Sequence, residues 1–131
     1  TDELLNLVDV LNVPRRFLQQ FFESDDLNAG AERLLGYGCQ LVTITDGANG
    51  AWLYSPEGSY HQPAFPIIPI DTTGAGDVFT GGLIHAVLEQ RPFEKILPFA
   101  SAAAALKCTR WGNRSALPTL DEIESFLDQQ N

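Results

Sequence analysis

A short run of acidic, hydroxyl and small residues is the part of this sequence best suited to chemistry. Residues 71–77 read Asp-Thr-Thr-Gly-Ala-Gly-Asp, and the apolar positions Phe79, Leu83 and Val87 that follow share one helical face. This pattern predicts an extended arm, a small-residue turn and the start of a helix. Glycines in such a turn let the backbone approach a ligand closely, and the N–H groups of a helix N-terminus attract an anion. A carboxylate in the same turn, Asp77, suits a general base acting beside a phosphoryl group during its transfer.

A purely structural interpretation of the same run is open. Asp71 or Thr72 can serve as a helix cap, and Asp77 can pair with the helix dipole. However, the longer pattern Asp-Thr-x-Gly-Ala-Gly-Asp-x-x-x-Gly-Gly-Leu resembles the C-terminal signature of the ribokinase (PfkB) family of carbohydrate kinases. This resemblance implies that Asp77 is the catalytic base, which takes the proton from a sugar hydroxyl as it attacks the γ-phosphate of ATP. It also implies an anion hole of backbone N–H groups from Gly74, Ala75 and Gly76.

A second turn follows a strand rich in β-branched residues. Residues 45–50 read Thr-Asp-Gly-Ala-Asn-Gly, which alone indicates a hairpin turn. The run also resembles the Thr-x-Gly-x-x-Gly turn with which ribokinase-like kinases approach the phosphates and sugar of the nucleotide. The residues expected to bind ATP are therefore Thr45, Asp46, Gly47, Ala48, Asn49, Gly50 and Gly76. Ser101 matches a family position that flanks the adenine, although a small residue there also suits helix packing.

The resemblance further implies a site for a monovalent cation, usually potassium. In the family, an acid, a Thr carbonyl and carbonyls of a later loop hold this ion, and Asp71 and Thr73 match the first two. Matching the sequence without gaps places four residues at the remaining positions: Lys107, Arg110, Gly112 and Ala116. Ala116 stands where the family often has Ser, which removes one ligand. Alternatively, the loop at Gly112 is only the end of a helix.

Magnesium is implied together with ATP, but the usual acid is missing. The family often carries Asn-x-x-Glu near the first helix, where it orders magnesium and phosphate through water. The matching positions here are Pro14 and Phe17, and an alignment on Asn12 places Arg15 at the Glu position. The sequence also lacks a Walker-type phosphate loop and a Gly-x-Gly-x-x-Gly after a first strand. Their absence argues against a P-loop NTPase and a dinucleotide oxidoreductase.

The elements that must position these residues alternate along the chain. Periodicity and turn residues predict strands near 8–13, 41–45, 51–54 and 59–65. Helices are predicted over 15–23, 27–35, 75–90 and 98–110 and from about 118 to the end. This order favours an α/β fold. The resemblance implies a ribokinase-like, three-layer fold in which helices flank part of a central sheet. Because family members are more than twice this length, residues 1–131 are expected to form the C-terminal nucleotide-binding portion of a kinase domain, without the N-terminal half and lid.

Composition narrows the range of partners. The 131 residues are 44% hydrophobic and 19% charged, which is typical of a globular protein with a core. Seventeen acids against 8 bases give a net charge of −9, which argues against nucleic acid as a partner. No apolar run has membrane-spanning length and no signal-peptide pattern opens the chain, so a cytoplasmic protein without a membrane partner is expected. Cys39 and Cys108 lack metal-site spacing and are expected to be buried thiols.

The function predicted from these features is an ATP-dependent phosphotransferase that acts on a hydroxyl of a sugar or sugar derivative. A nucleoside or vitamin kinase of the same family is the first alternative, because the residues that read the acceptor lie outside this sequence. A non-catalytic nucleotide-binding module is the second alternative. The expected partners are ATP and a sugar-like small molecule, with homodimerisation through the lid region that this sequence lacks.

Overall fold

The computed structural model describes residues 9–22, 26–112 and 116–130. They form two compact units, which divide between His61 and Gln62. None of the helices in these ranges combines the length and the apolar character needed to cross a membrane.

The first unit is built on a four-stranded sheet with the strand order β1-β2-β3-β4. Its strands are β1 (Val10–Pro14), β2 (Leu41–Thr45), β3 (Ala51–Ser55) and β4 (Gly58–Gln62). The sheet is mixed, since β1 runs parallel to β2 and β2 runs antiparallel to β3. A parallel pair needs a crossover, and two helices provide it: α1 (Arg15–Phe22) and α2 (Leu27–Leu35).

Side chains of both crossover helices and of three strands form the core of this unit. Val42 and Ile44 share one face of β2 and are fully buried, and Thr43, between them on the opposite face, is fully buried as well. They belong to a cluster of Val13, Leu18, Ala31, Leu34, Cys39, Val42, Ile44 and Tyr54. The carboxylate of Asp26 caps α2 by accepting a hydrogen bond from the N–H of Ala29 at 3.1 Å. The sheet and the two helices therefore fix the end of β2, from which the predicted nucleotide turn leads on.

The second unit consists of three helices: α3 (Ala75–Leu88), α4 (Phe93–Cys108) and α5 (Leu120–Gln129). Helices α3 and α4 approach closely at Gly82, where a Cβ atom would lie 3.0 Å from the Cα of Ala100. Helix α5 begins with a capping box, in which Thr119 and Glu122 exchange hydrogen bonds between side chain and backbone. This cap confirms the helix start expected near residue 118.

Prolines account for the main differences from the predicted elements. The helix expected to start at Pro98 starts at Phe93, and Pro98 lies inside it, so the carbonyl of Glu94 receives no helical hydrogen bond. Strand β1 extends one residue beyond its predicted end, because Pro14 is its last residue. Strand β4 ends at Gln62, because Pro63 has no N–H for a sheet hydrogen bond. The predicted start of the first strand at residue 8 and the predicted end of the first helix at residue 23 lie outside the described residues.

Candidate functional site

The predicted anion hole lies at the start of α3. Gly74 is the N-cap residue and has φ 78° and ψ 4°, a left-handed conformation that favours glycine. The N–H of Ala75 donates to the carbonyl of Thr72 at 3.2 Å, so this predicted donor is already engaged. The N–H groups of Gly74, Gly76 and Asp77 make no hydrogen bond to another described residue. These three groups, at the positive end of the helix dipole, are therefore available to an anion.

The carboxylate of Asp77 is exposed beside these groups and borders a cavity of about 380 Å³. Side chains of α4, of α5 and of the segment before α5 complete the wall, which is largely apolar: Phe99, Ala103, Leu117, Pro118, Leu120 and Ile123. The backbone before α3 and the first turn of the helix thus bring a carboxylate, unpartnered N–H groups and a cavity together. A space at Gly76, where a Cβ would meet no atom within 4 Å, leaves room for a group to approach.

His85 also lines this cavity, although none of the sequence motifs includes it. It lies two helical turns after Asp77, and its ring stacks on Phe99 with a centroid distance of 5.4 Å. The spacing of Asp77, Gly81 and His85, four residues each time, places all three on one face of α3 and could have indicated this position. Ser101 is half-buried on α4 and does not line the cavity, so its predicted adenine contact stays a prediction.

The predicted nucleotide turn connects β2 and β3 in the first unit. Thr45 ends β2 opposite Ala51, and a short 3-10 helix, Gly47–Asn49, follows. Gly47 and Gly50 have φ values of 51° and 93°, so glycine is required for this path.

Hydrogen bonds hold the turn in one conformation. The N–H of Asp46 donates to the carbonyl of Gly50 at 2.9 Å. The Asp46 carboxylate accepts from the Asn49 amide at 3.0 Å and from Arg15 at 3.1 Å. Gly47, Ala48 and Asn49 are exposed, and a Cβ at Gly47 would meet no atom within 4 Å. The turn thus presents exposed backbone in a conformation that these hydrogen bonds hold.

Asp71 is the centre of the predicted cation site. Its carboxylate accepts the N–H of Thr73 at 3.0 Å and the N–H of Gly112 at 3.1 Å. Hydrogen bonds from Thr73, helped by Gly112 and the charge of Lys107, lower the pKa of Asp71 to about 2. The Lys107 ammonium donates to the backbone carbonyl of Asp71 at 2.9 Å and lies 3.7 Å from its carboxylate. The structure thus brings four predicted residues together, and it brings in the side chain of Lys107, where only a carbonyl was expected.

The other two predicted cation ligands have different surroundings. The guanidinium of Arg110 pairs with the carboxylate of Glu122 on α5, and this hydrogen bond lowers the pKa of Glu122 to about 2. Ala116 is fully buried. Within the described ranges, no group of three or more His, Cys, Asp or Glu side chains is placed to hold a metal ion. A cation ligand set that includes Thr73, Arg110, Gly112 and Ala116 stays a prediction.

The fold and the family follow from comparison with known proteins. A candidate ribokinase II from E. coli, solved with ATP and Mg²⁺, superposes with a TM-score of 0.90 at 27% identity, so the fold is ribokinase-like. The sequence matches the family described as pfkB family carbohydrate kinase over residues 1–120. The chain therefore belongs to the pfkB family of carbohydrate kinases.

Two further relatives show the range of acceptors in this family. The ATP-dependent ribose-1-phosphate kinase of Halopiger xanaduensis is 35% identical over 98% of this chain. A fructokinase double mutant from Vibrio cholerae, solved with fructose, ADP and a potassium ion, has a TM-score of 0.81 at 27% identity over 95% of this chain. The superposition with the E. coli protein covers 98% of this chain. The chain spans 42% of the length of each of the three proteins, less than half.

Proposed function

We propose that the protein transfers the γ-phosphate of ATP to a hydroxyl group of a sugar or sugar derivative. The observation that carries this proposal is the start of α3, where the Asp77 carboxylate lies in the same turn as the unpartnered N–H groups of Gly74 and Gly76. Membership of a carbohydrate kinase family supports the same reaction. The proposal covers sugars and sugar derivatives in general, because the names of the relatives give different acceptors, such as ribose 1-phosphate and fructose.

Asp77 is proposed to act as the general base. Its carboxylate is exposed, so its oxygens can accept a hydrogen bond from the acceptor hydroxyl. As the hydroxyl oxygen attacks the γ-phosphorus, its proton moves to Asp77, and the bond to the β,γ-bridging oxygen of ATP breaks. ADP is the leaving group. Phosphoryl transfer requires little covalent help from the protein, so positioning and charge stabilisation carry most of the rate.

The N–H groups before and within the first turn of α3 are proposed to stabilise the transferring phosphoryl group. Donors fixed by the backbone need no reorganisation when negative charge develops on the phosphoryl oxygens. Gly74 and Gly76 fill this role, together with Asp77's own N–H, whereas the N–H of Ala75 is held by Thr72. Glycine at position 76 leaves the approach open.

The turn 45–50 is proposed as a nucleotide contact in its own right. The exposed backbone of Gly47, Ala48 and Asn49 forms a surface with no side chain at Gly47 to obstruct a ligand. The hydrogen bonds of Asp46 hold that surface in place before a ligand arrives. Such pre-organisation lowers the entropic cost of binding.

Magnesium fits this proposal as an ion delivered with the nucleotide. Mg²⁺ usually keeps several waters and is held by one or two carboxylates plus substrate phosphates, so it needs no all-protein cage. When bound, it neutralises phosphate charge. Asp77 is an exposed carboxylate close to the proposed phosphate position. The acid that the family often places near the first helix is replaced here by Phe17 or, in the alignment on Asn12, by Arg15, and both residues lie on α1.

The test is the Asp77→Asn variant of the complete protein, assayed for ADP formation over a panel of sugars, sugar phosphates and nucleosides. Turnover is expected to fall by at least about a hundredfold, because general-base catalysis contributes on that order. The affinity for ATP, measured by calorimetry, is expected to change little.

Asp121→Asn is the matched control, since Asp121 is an exposed acid in the first turn of another helix, α5. Unchanged turnover in Asp77→Asn would sink the assignment of the base. ATP binding without ADP formation on any acceptor would favour a non-catalytic nucleotide-binding module instead. Turnover on nucleosides alone would move the acceptor class to the nucleoside kinases.

A further inference from the structure

The side chain of Lys107 is fully buried, with no exposed surface. Lysine is almost never buried to this extent unless its charge is paired, because moving an ammonium out of water is costly. Lys107 lies near the end of α4, on the same face as the buried Phe99 and Ala103. A buried cation at this place in the fold requires an explanation beyond helix packing.

The oxygens around the ammonium belong to the arm that leads into α3. Nζ of Lys107 donates to the carbonyl of Asp71 at 2.9 Å and lies 3.7 Å from its carboxylate oxygen. The arm is tied to the end of α4 a second time, because the N–H groups of Ile70 and Asp71 both donate to the carbonyl of Cys108. Asp71 is in turn fixed by the N–H groups of Thr73 and Gly112. Among the described residues, the ammonium therefore has one carbonyl and one carboxylate oxygen as partners, the ligand types that a monovalent cation also takes from proteins.

We propose that Lys107 is a built-in cation that takes the place of a bound potassium ion beside Asp71. A potassium ion on the same oxygens would lie next to the ammonium, and like charges at such short range repel strongly away from bulk water. The residues present therefore do not fit a potassium ion at Asp71. It follows that the protein needs no potassium for its stability or for its activity.

Lys107 acts in this proposal as a positioning residue. Its ammonium holds Asp71, which lies three residues before Gly74. The N–H of Gly74 belongs to the proposed anion hole. The consequence for catalysis rests on the proposed function, whereas the cation replacement itself can be measured by binding. The two proposals can thus fail separately.

The first experiment measures thermal unfolding of the complete protein in chloride salts of potassium, sodium and choline at equal ionic strength. The wild-type Tm is expected to be the same in all three salts. In Lys107→Ala, removal of the ammonium leaves the oxygens of Asp71 open to an ion, so potassium is expected to raise the Tm by about 2 °C or more relative to choline. Lys95→Ala is the matched control, because Lys95 is an exposed lysine on the same helix. It should behave as the wild type does.

A wild-type Tm that rises selectively with potassium would overturn the proposal, whether or not the protein proves to be a kinase. So would a folded Lys107→Ala variant that shows no preference for potassium. If that variant does not fold, Lys107→Gln keeps a hydrogen-bond donor of similar reach without the charge. If neither variant folds, the wild-type titration alone decides.

The kinase assay measures a second quantity, the dependence of turnover on the salt, which would not change if Lys107 had only a structural role. Wild-type turnover is expected to be equal in the three salts. Turnover of Lys107→Ala is expected to fall about tenfold in choline and to recover in potassium, since the ion restores the charge that orients the arm. A loss of turnover that potassium does not restore would contradict the role of Lys107 as a replacement cation.

Discussion

At the start of α3, one helical turn offers both a carboxylate and backbone donors. Asp77 supplies the carboxylate, and Gly74 reaches its left-handed conformation without the strain that a side chain would add. The arm before this turn is held by Asp71, whose carboxylate accepts two backbone N–H groups. The residues that could do chemistry are therefore oriented by a neighbouring acid that does none.

Asp71 should make the stability of the protein depend on pH at the acid end of the scale. Hydrogen bonds from Thr73 and Gly112 lower its pKa to about 2, from an ordinary value of 3.8. Because the pKa of Asp71 is lower in the folded state, its contribution to the free energy of unfolding is fully present above about pH 4. This contribution is lost as the pH falls through about 2. Asp71→Asn removes this contribution, so its unfolding free energy should decline less steeply between pH 4 and 2 than that of the wild type.

Urea unfolding of the complete protein at several pH values measures this difference. Glu57→Gln serves as the control, because Glu57 is an exposed acid in the turn between β3 and β4. Parallel curves for Asp71→Asn and the wild type across this range would show that the Asp71 hydrogen bonds contribute no pH-dependent stability.

At the scale of the elements, the contact between α3 and α4 holds the candidate site together. Small residues on both helices allow the close approach, with Gly82 of α3 facing Ala100 and Ala103 of α4. The same two helices provide much of the cavity wall beside Asp77, including Phe99 and His85. The alanine-rich stretch of α4 is therefore a packing surface, and the shape of the cavity depends on it.

Substitutions at the neighbouring glycines Gly81 and Gly82 of α3 test this packing. A Cβ at Gly82 would lie 3.0 Å from the Cα of Ala100 and 3.4 Å from the Cβ of Ala103, so Gly82→Ala must push the helices apart. Its expected cost is about 1–3 kcal/mol of unfolding free energy, as for other overpacked interiors. Gly81→Ala is the matched control, since a Cβ at Gly81 would meet no atom within 4 Å.

Gly81→Ala is expected to stabilise the protein by up to about 1 kcal/mol, because alanine lowers the entropy of the unfolded chain. Chemical denaturation of both variants measures the difference. Equal stability of the two variants would mean that the close approach at Gly82 is not a constraint on the fold.

Sequence reasoning succeeded where a short local signal decides the structure. The strand at 41–45, the helix 27–35 and the cap at Thr119 each match the structure because β-branched runs, caps and turn residues act locally. The start of α4 was missed because Pro98 is usually a helix boundary, and the packing of α4 against α3 outweighs that local preference here.

The missed parts of the site depend on contacts between distant residues. Matching the family sequence without gaps predicts only a backbone carbonyl ligand at Lys107 and gives no information on where its side chain lies. Its position on the same face as Phe99 and Ala103 was the one available sign of burial. The hydrogen bond of Ala75 to Thr72 likewise depends on the exact path of the turn, which composition does not determine.

At the scale of the whole molecule, the charge of the chain and its proposed ligand have the same sign. The 131 residues carry a net charge of −9, so the long-range field repels phosphates. Binding of ATP therefore has to rely on local donors, such as the N–H groups at the start of α3 and the exposed turn 45–50. Magnesium, by neutralising part of the phosphate charge, should reduce the repulsion.

The charge of these 131 residues predicts that this part of the complete protein provides a site for MgATP and none for a polynucleotide. MgATP at about 100 times its dissociation constant should stabilise the folded state by about 2.7 kcal/mol and raise the Tm accordingly. Single-stranded DNA and RNA at the same phosphate concentration should leave the Tm unchanged, because the 17 acids outnumber the 8 bases and leave no excess of cationic side chains to release counterions.

ATP with EDTA, in place of magnesium, should stabilise the protein less than MgATP does. A shift with DNA or RNA that persists at physiological ionic strength would contradict the argument from charge, whereas no shift with MgATP would contradict the proposed nucleotide site.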